Sequence, residues 1–574
     1  MNQQKTCRQC SKKFTVEDDD LKFYKKVSPT FAGRVIEIPL PVLCPECRRQ
    51  KRLMWRNNRS LYSRKCDLCS KDIVSTFSPD KEFKVYCQDC WWSDKWDPTE
   101  FGQDYDFDKT FSSQFAQLMR KVPRIALMNK NSENSEFCHF SGNNKNCYLC
   151  FAGSWNNENC SYGYRFGQCK DCFDCHFLEK SELCYQIFHG EKNFKCAYCD
   201  YIYDCDECYF SYDLKGCNHC VFSSGLRNKS YFAFNKSCTK EEFDDLRKAL
   251  EKNTTLSEAL KKFEKIRHDA IKNAVVQLKC EDCEGDNLNN CKGLREAFDI
   301  NDMEDGKYVL IGAFSKDVMD CTAVGLGETQ LCYYSMSVGD TAYNCLFSNG
   351  IWSARNIFYS DSLINCEDCF GCVSMKRQSY CILNKKYSED EYDKMVEKIA
   401  EHMNSTGEWG EFFENKICPY AYNETFANEF YPLSKEQATE IGCSWQSNNY
   451  SPIYQGENYT PDDNINFYQS AEKVEEIMHG VIKCVKSGRP FKIMPNELAF
   501  HVKEKIALPL KHPNVRFEER FAKLNFPRLY ERLCSCEQQG HGHDGKCENQ
   551  FKTTFAPDRE EKIYCHNCYE RSLN

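Results

Sequence analysis

Broken at every twelfth position, residues 160–220 read CSYGYRFGQCKD, CFDCHFLEKSEL, CYQIFHGEKNFK, CAYCDYIYDCDE, CYFSYDLKGCNH and C. Cys160, Cys172, Cys184, Cys196, Cys208 and Cys220 head the six lines. Two places on stand Tyr162, Asp174, Gln186, Tyr198, Phe210 and Phe222. A second series keeps the same count through Cys321, Tyr333, Cys345, Ile357, Cys369 and Cys381. A fixed short period signals a stacked array in which each unit packs on its neighbours. Positions 0 and +2 point the same way along a strand, so the two columns are expected to form one inward row. Twelve residues accommodate two strands of about four residues and two tight turns, a slim β-solenoid rising about 4.8 Å per coil. A string of short antiparallel strands is the competing reading.

The two series duplicate each other. GCNHCVFSSGLRNKSYFAFNK (216–236) aligns without a gap on NCEDCFGCVSMKRQSYCILNK (365–385). Each is followed by a capping box, Thr239 with Glu242 and Ser388 with Glu391. Phe243, Leu246, Leu250, Leu256, Leu260 and Phe263 then lie at helical spacing, predicting a helical segment over about 239–275 that joins the blocks. Met395, Ile399 and Met403 predict a second helix. Only the zero column of cysteine recurs; the position three before it is cysteine at 169, 205, 217 and 366 but Asn157, Ser181, Asn193, Gln330, Ala342 and Ala354 elsewhere. A single column reads as core packing, which small buried thiols suit. Cys169-x-x-Cys172-x-x-Cys175 and Cys366-x-x-Cys369-x-x-Cys372 are the places where metals could still enter.

The chain ends carry a different repeat. Cys66-Asp-Leu-Cys69, SKDIVSTFSPDKEFKVY and Cys87-Gln-Asp-Cys90 match Cys547, ENQFKTTFAPDREEKIY and Cys565-His-Asn-Cys568, each with a 17-residue loop. Paired Cys-x-x-Cys motifs across such a loop place four thiolates around one tetrahedral zinc. Upstream, Leu43–Cys66 aligns without a gap on Lys511–Cys534. In this register Cys7, Cys10, Cys44 and Cys47 become Cys484, Ser487, His512 and Val515. Three of four positions changed together, so these four cysteines read as one zinc site that the C-terminal copy has lost. A ten-residue insertion there leaves either Cys534 or Cys536 to complete the remaining site with Cys547, Cys565 and Cys568; it also carries His541 and His543. About three zinc ions per chain are expected.

Forty-one cysteines among 574 residues, without a secretory signal or a long apolar run, point to reduced thiols and metal rather than disulfides. A cytoplasmic protein with no membrane contact is expected. The net charge of −9 gives no global attraction for nucleic acid, so such contact would be local. The best local candidate is CRRQKRLMWRNNRSLYSRK (47–65), with Arg48, Arg52, Arg56 and Arg59 at helical spacing and Trp55 among them. Guanidinium groups with interleaved aromatics suit phosphates and bases, whereas the competing reading is a solvated helix without a partner. The C-terminal copy keeps Arg516 and Arg520 but has Phe517, Glu519 and Pro527 in place of Arg49, Lys51 and Arg59, as a scaffold copy would. Trp91, Trp92, Trp96, Phe101, Tyr105 and Phe107 are expected to pack the N-terminal module on a repeat block. No phosphate-binding Gly-rich loop, nucleophile elbow or His-Glu-x-x-His helix occurs, and no small-molecule substrate is indicated.

CRQCSKKFTVEDDDLKFYKKV followed by LPVLCPECRRQKR resembles the zinc-ribbon (treble-clef) modules of a large cysteine-rich bacterial family. That resemblance implies Cys7, Cys10, Cys44 and Cys47 as ligands and a zinc-stabilised fold, and it implies no activity. The expected architecture is α+β and multi-domain, with such modules at both ends of a β-rich, solenoid-like repeat core with helical linkers. The segments are a tandem zinc module (1–130), a first repeat block (131–238), a helical linker (239–275), a second block (276–386), a helix and irregular linker (387–480) and the degenerate module copy (481–574). A zinc-binding, non-catalytic scaffold contacting nucleic acid or a ribonucleoprotein is the first functional expectation. A thiol-based redox or metal-handling protein is the alternative.

Overall fold

A computed structural model describes residues 2–450, 452 and 454–573. The fold is mixed α/β and multi-domain, with cysteine-rich modules at both ends. Two compact units are present: residues 1–127, 275–448 and 527–529 in one, and residues 128–274, 449–526 and 530–574 in the other. Each unit contains one terminal module and one repeat block, and in both cases the block is the one farther from that module along the chain.

In the second unit the repeats pair in parallel at an offset of twelve residues: His176↔Phe188, Tyr185↔Ala197, Asp200↔Tyr212 and Asn218↔Ser230. The antiparallel alternative is therefore absent between these repeats. The period inside a repeat is three rather than two. Tyr162, Arg165, Gln168, Asp171 and Asp174 have φ values of 60°, 50°, 55°, 49° and 56°, and the pattern continues through the block. A left-handed residue at every third position resets the strand alternation, so the inward row is spaced by three. Cys169, Cys172, Cys175 and Leu178 are successive members of one core, which extends through Cys184, Ile187, Cys196, Cys199 and Cys208.

This corrects the expected inward pairing of positions 0 and +2. The +2 residues are the left-handed ones and lie outside the cysteine core, and Tyr198, Phe210 and Phe222 among them join a separate apolar cluster. There Tyr198 and Phe210 stack with centroids 5.5 Å apart, and Phe210 and Phe222 with centroids 4.9 Å apart. Phe243, Leu250, Leu256 and Phe263 cover this stack. The covering segment is not one helix: Lys240–Arg247 and Asn253–Asp269 are separated by a 3-10 turn at Lys248–Leu250. Its expected capping box at Thr239 and Glu242 is formed, as is the one at Ser388 and Glu391.

Left-handed geometry disfavours residues with a Cβ, by roughly 1–2 kcal/mol each, and Asn and Asp tolerate it best. Several of these positions accordingly hold amides or carboxylates that bond to their counterparts one repeat on. Asn134, Asn146 and Asn159 each donate from Nδ2 to the next member, ending at Asp171, at 3.1 Å per step. Cysteine suits the inward row because it is small and its S–H is a weak donor. Cys172 Sγ lies 3.3 Å from the Lys170 carbonyl and 3.5 Å from that of Ser181, and the same pattern recurs at Cys184, Cys196 and Cys208.

The block of the first unit is also parallel, but its register is not uniform. Phe298↔Leu310 and Cys369↔Cys381 keep the twelve-residue offset, whereas Cys321 pairs with Ser335 and Tyr333 with Leu346. The expected Cys321–Tyr333–Cys345 column is thus broken. Extra residues enter around Gly325 and Gly327, and the glycines permit an unusually close backbone approach. A Cβ added to Gly339 would lie 1.7 Å from the Gly325 carbonyl oxygen. Beyond this irregularity Cys345, Ile357, Cys369 and Cys381 do form one buried core row. Helix Glu389–Thr406 follows, burying Tyr392, Val396, Ile399 and Met403, with Met395 only half-buried.

The same clamp joins the terminal module to the block in both units. Asp320 is fully buried in the first, with Arg48 Nε at 2.8 Å from Oδ2 and Arg52 Nη1 at 3.1 Å from Oδ1. In the second, buried Asp174 pairs with Arg516, and Arg520 Nη2 lies 2.8 Å from its Oδ1. The aromatic run adds to the first docking. Trp91 and Trp96 are buried with Lys376 Nζ over both rings, while Trp92 and Phe107 are exposed. Removing one member of a buried ion cluster leaves its partners charged and desolvated, at a cost of about 3–5 kcal/mol, whereas an exposed pair contributes about 1 kcal/mol or less. Asp320→Ala should therefore lower unfolding free energy by about 3–5 kcal/mol in chemical denaturation. Glu304→Ala, which removes the exposed Lys316 pair, should change it by under about 1 kcal/mol. Equal small effects would contradict the clamp.

Candidate metal centres

Each of the two N-terminal candidate centres begins with a knuckle. Cys7 N donates to Lys12 O and Ser11 N to Cys7 O, both at 2.9 Å, with Ser11 left-handed at φ 59°. The knuckle at Cys66 repeats this through Lys71 and Ser70, again at 2.9 Å, with Ser70 at φ 60°. The second pair of thiols in each centre comes from a helix start. Cys44 caps Pro45–Leu53, which contains Cys47, and Cys87 caps Gln88–Trp92, which contains Cys90. Proline at the first helical position satisfies the missing-donor rule and sets φ for the helix.

These elements bring together Cys7, Cys10, Cys44 and Cys47, and separately Cys66, Cys69, Cys87 and Cys90, with all sulfurs of a set within 4.8 Å of one another. Four sulfurs at about 2.3 Å from a tetrahedral zinc would stand about 3.8 Å apart. Cys10 and Cys44 are 3.7 Å apart, and Cys69 and Cys87 are 3.9 Å apart. The thiols thus fit a metal of that size, and backbone amides point at them. Cys87 N lies 3.3 Å from Cys66 Sγ and Cys90 N lies 3.4 Å from Cys87 Sγ. Such donors favour the thiolate form that a metal requires.

At the C-terminus Cys534, Cys547, Cys565 and Cys568 form the corresponding group. Of the two candidates for its first ligand, Cys534 is the member of the four-thiol set. Cys565 N lies 3.2 Å from Cys534 Sγ, as Cys87 N does from Cys66 Sγ at 3.3 Å. Cys536 is placed instead with His541 and Cys568. The site read as lost keeps its knuckle but not its ligands. Cys484 N still donates to Arg489 O at 2.9 Å, with Gly488 left-handed at φ 69°. Cys484 and Val515 now share an apolar cluster with Ile482, Phe491, Ile493 and Leu498.

The arginine helix requires a correction. The helix ends at Leu53, so Trp55, Arg56 and Arg59 lie beyond it rather than on one helical face, and Arg48, Arg52, Arg56 and Trp55 are only 2%, 0%, 6% and 1% exposed. Asp320 takes the first two guanidinium groups, and Arg56 Nη1 donates to Ser337 Oγ at 2.7 Å. Trp55 stacks on Phe413 at 4.4 Å, and half-buried Arg59 donates to Glu429 at 3.2 Å. These side chains are therefore not a phosphate-binding surface. The face is basic because it answers a buried carboxylate. One signal for this was present in the sequence: the C-terminal copy lost other charges but kept Arg516 and Arg520, the two that clamp Asp174.

Among the described residues, groups of three or more close metal-ligating side chains occur in the terminal modules. The repeat cysteines follow one another along buried rows instead, including Cys169–Cys172–Cys175 and Cys366–Cys369–Cys372. Burial pushes the Cys175 and Cys199 thiols well above their ordinary pKa, which keeps them protonated and unreactive.

No protein-family model matches the chain, and no curated protein matches it. Among solved structures, a protein from Desulfovibrio desulfuricans G20 assigned as an acetyltransferase aligns at 9% identity over 46% of this chain and 68% of its own, with a TM-score of 0.11. Among the described residues, no helix is long and apolar enough to cross a membrane.

The two sulfur environments predict distinct alkylation. In native protein treated with a strong chelator, iodoacetamide should modify Cys10, Cys69 and the other group members. Cys172, Cys175, Cys199 and Cys369 should stay unmodified until global unfolding. Peptide mass spectrometry that finds both sets reacting together would contradict the separation.

Proposed function

We propose that the protein is a zinc-stabilised, non-catalytic scaffold in which zinc-ribbon-like modules are docked on β-solenoid repeat blocks. The observation that carries this reading is the closed four-thiol geometry. With Cys7, Cys10, Cys44 and Cys47 as ligands in one centre, Cys66, Cys69, Cys87 and Cys90 in the next, and Cys534, Cys547, Cys565 and Cys568 in the third, no coordination position is left for substrate. Such sites hold a fold together, and here the modules have little else. The first centre packs Cys7, Cys44 and Cys47 in one small apolar cluster with Leu43, Phe14 and Val42. Zinc suits tetrahedral thiolate sets of this kind better than the harder cations.

The parallel twelve-residue register supports the solenoid reading, since it makes each repeat one turn of a stack. A metal-handling or thiol-redox role for the repeat cysteines is the second reading; their burial in single-file rows favours packing over chemistry. A nucleic-acid or ribonucleoprotein partner finds no support in the buried arginine helix and would need another surface.

Metal analysis of the intact chain separates the readings. Cys47→Ser, Cys90→Ser and Cys565→Ser should each lower zinc content, whereas Cys172→Ser and Cys369→Ser should leave it unchanged. Zinc lost with the repeat cysteines would favour metal handling, and a chain purified without zinc would reject the scaffold reading.

A further inference from the structure

The insertion that distinguishes the C-terminal module from its N-terminal counterpart is organised around sulfur. Its tip reads Gly540-His541-Gly542-His543-Asp544-Gly545, with the glycines left-handed at φ 80°, 85° and 68°. These turns fold the tip back, and Cys547 N closes its base on Cys536 O at 2.8 Å. His541 Nδ1 then lies 3.3 Å from Cys536 Sγ, and His543 Nε2 lies 3.4 Å from Cys568 Sγ. The other nitrogen of His543, Nδ1, lies 2.9 Å from the Gly545 carbonyl. A carbonyl accepts only, so Nδ1 carries the proton and Nε2 presents its lone pair toward the sulfur. Metal-binding histidines are held in their working tautomer by this kind of backbone contact. Cys536 is fully buried although it lies outside the four-thiol group.

We propose that the C-terminal module binds a second metal ion through Cys536, His541 and Cys568, whose donor atoms lie within 4.8 Å of one another, with Cys568 bridging it to the ion of the four-thiol group and His543, 3.4 Å from Cys568 Sγ, closing in as the fourth donor. The proposal rests on the reading that the four-thiol group is loaded. Two thiolates and two imidazoles are a zinc donor set, and the second ion would share the Cys568 thiolate and displace one further proton, that of Cys536, to solvent. It also offsets charge: four thiolates around one dication leave a formal double negative charge, beside which a fifth thiolate would be unfavourable without another cation. Both histidines are half-exposed, which provides an entry path.

The test uses the full chain equilibrated with zinc, then desalted and analysed for metal. His541→Ala with His543→Ala should lower zinc by one ion per chain, and Cys536→Ser should do the same. The N-terminal module forms its four-thiol group without such an insertion, so the histidine variant is expected to fold. After cobalt(II) substitution, the wild type should show spin coupling through the shared thiolate, and the histidine variant should lose it. A histidine variant with wild-type zinc content, or a cobalt form without coupling, would overturn the second ion. In that case, loss of zinc on Cys565→Ser would still uphold the four-thiol group, whereas a wild type without zinc would overturn both.

Discussion

A left-handed residue at every third position is the constraint from which the rest of the repeat architecture follows. It divides twelve residues into four short segments and sends one side chain of each inward. The inward residues make a narrow core that favours small side chains, so cysteine recurs there beside Leu, Ile and Ser. The left-handed residues face outward, where aromatic members stack at 4.9–5.5 Å and gather a covering layer of helix. Asn and Asp at other left-handed positions bond along the stack, so the least favourable backbone geometry lies where side-chain ladders can support it.

Sulfur has two roles separated by geometry alone. In the terminal modules a knuckle and a helix start converge four thiols on one point, giving a set that can hold a metal. In the repeats the thiols pass in single file, each near a carbonyl and removed from water, and behave as small apolar groups. The knuckle at Cys484 stands without a four-thiol group, and there an apolar cluster with Val515, Phe491 and Leu498 forms the interior.

One carboxylate and two guanidinium groups recur at the attachment of each module to its block. A buried ion cluster of this type is a weak source of net stability but a strong source of specificity, because a misplaced module would leave charges desolvated and unpaired. The use of Asp320 in one unit and Asp174 in the other gives the two dockings the same chemistry. Retention of Arg516 and Arg520 in a module copy that otherwise shed charge follows from that shared requirement.

The four-thiol groups, the capping boxes and the twelve-residue beat were legible in the sequence because each depends on short spacings. Cys66 to Cys69 and Thr239 to Glu242 lie within one turn of chain, and a repeat announces its length by counting. The internal period of three was not legible, since positive φ at Tyr162 or Phe210 is not written in residue types that ordinarily avoid it. The register shift around Gly325 was hidden because Cys321, Tyr333 and Cys345 still fell twelve apart by count. A helix starting at Cys44 was legible, but not that it stops at Leu53, and whether its arginines meet water or Asp320 depends on a partner 272 residues away. Local spacing thus determined which thiols can share a metal. Only the tertiary structure decided which charges are buried and which block each module joins, because those outcomes depend on desolvation by distant parts of the chain.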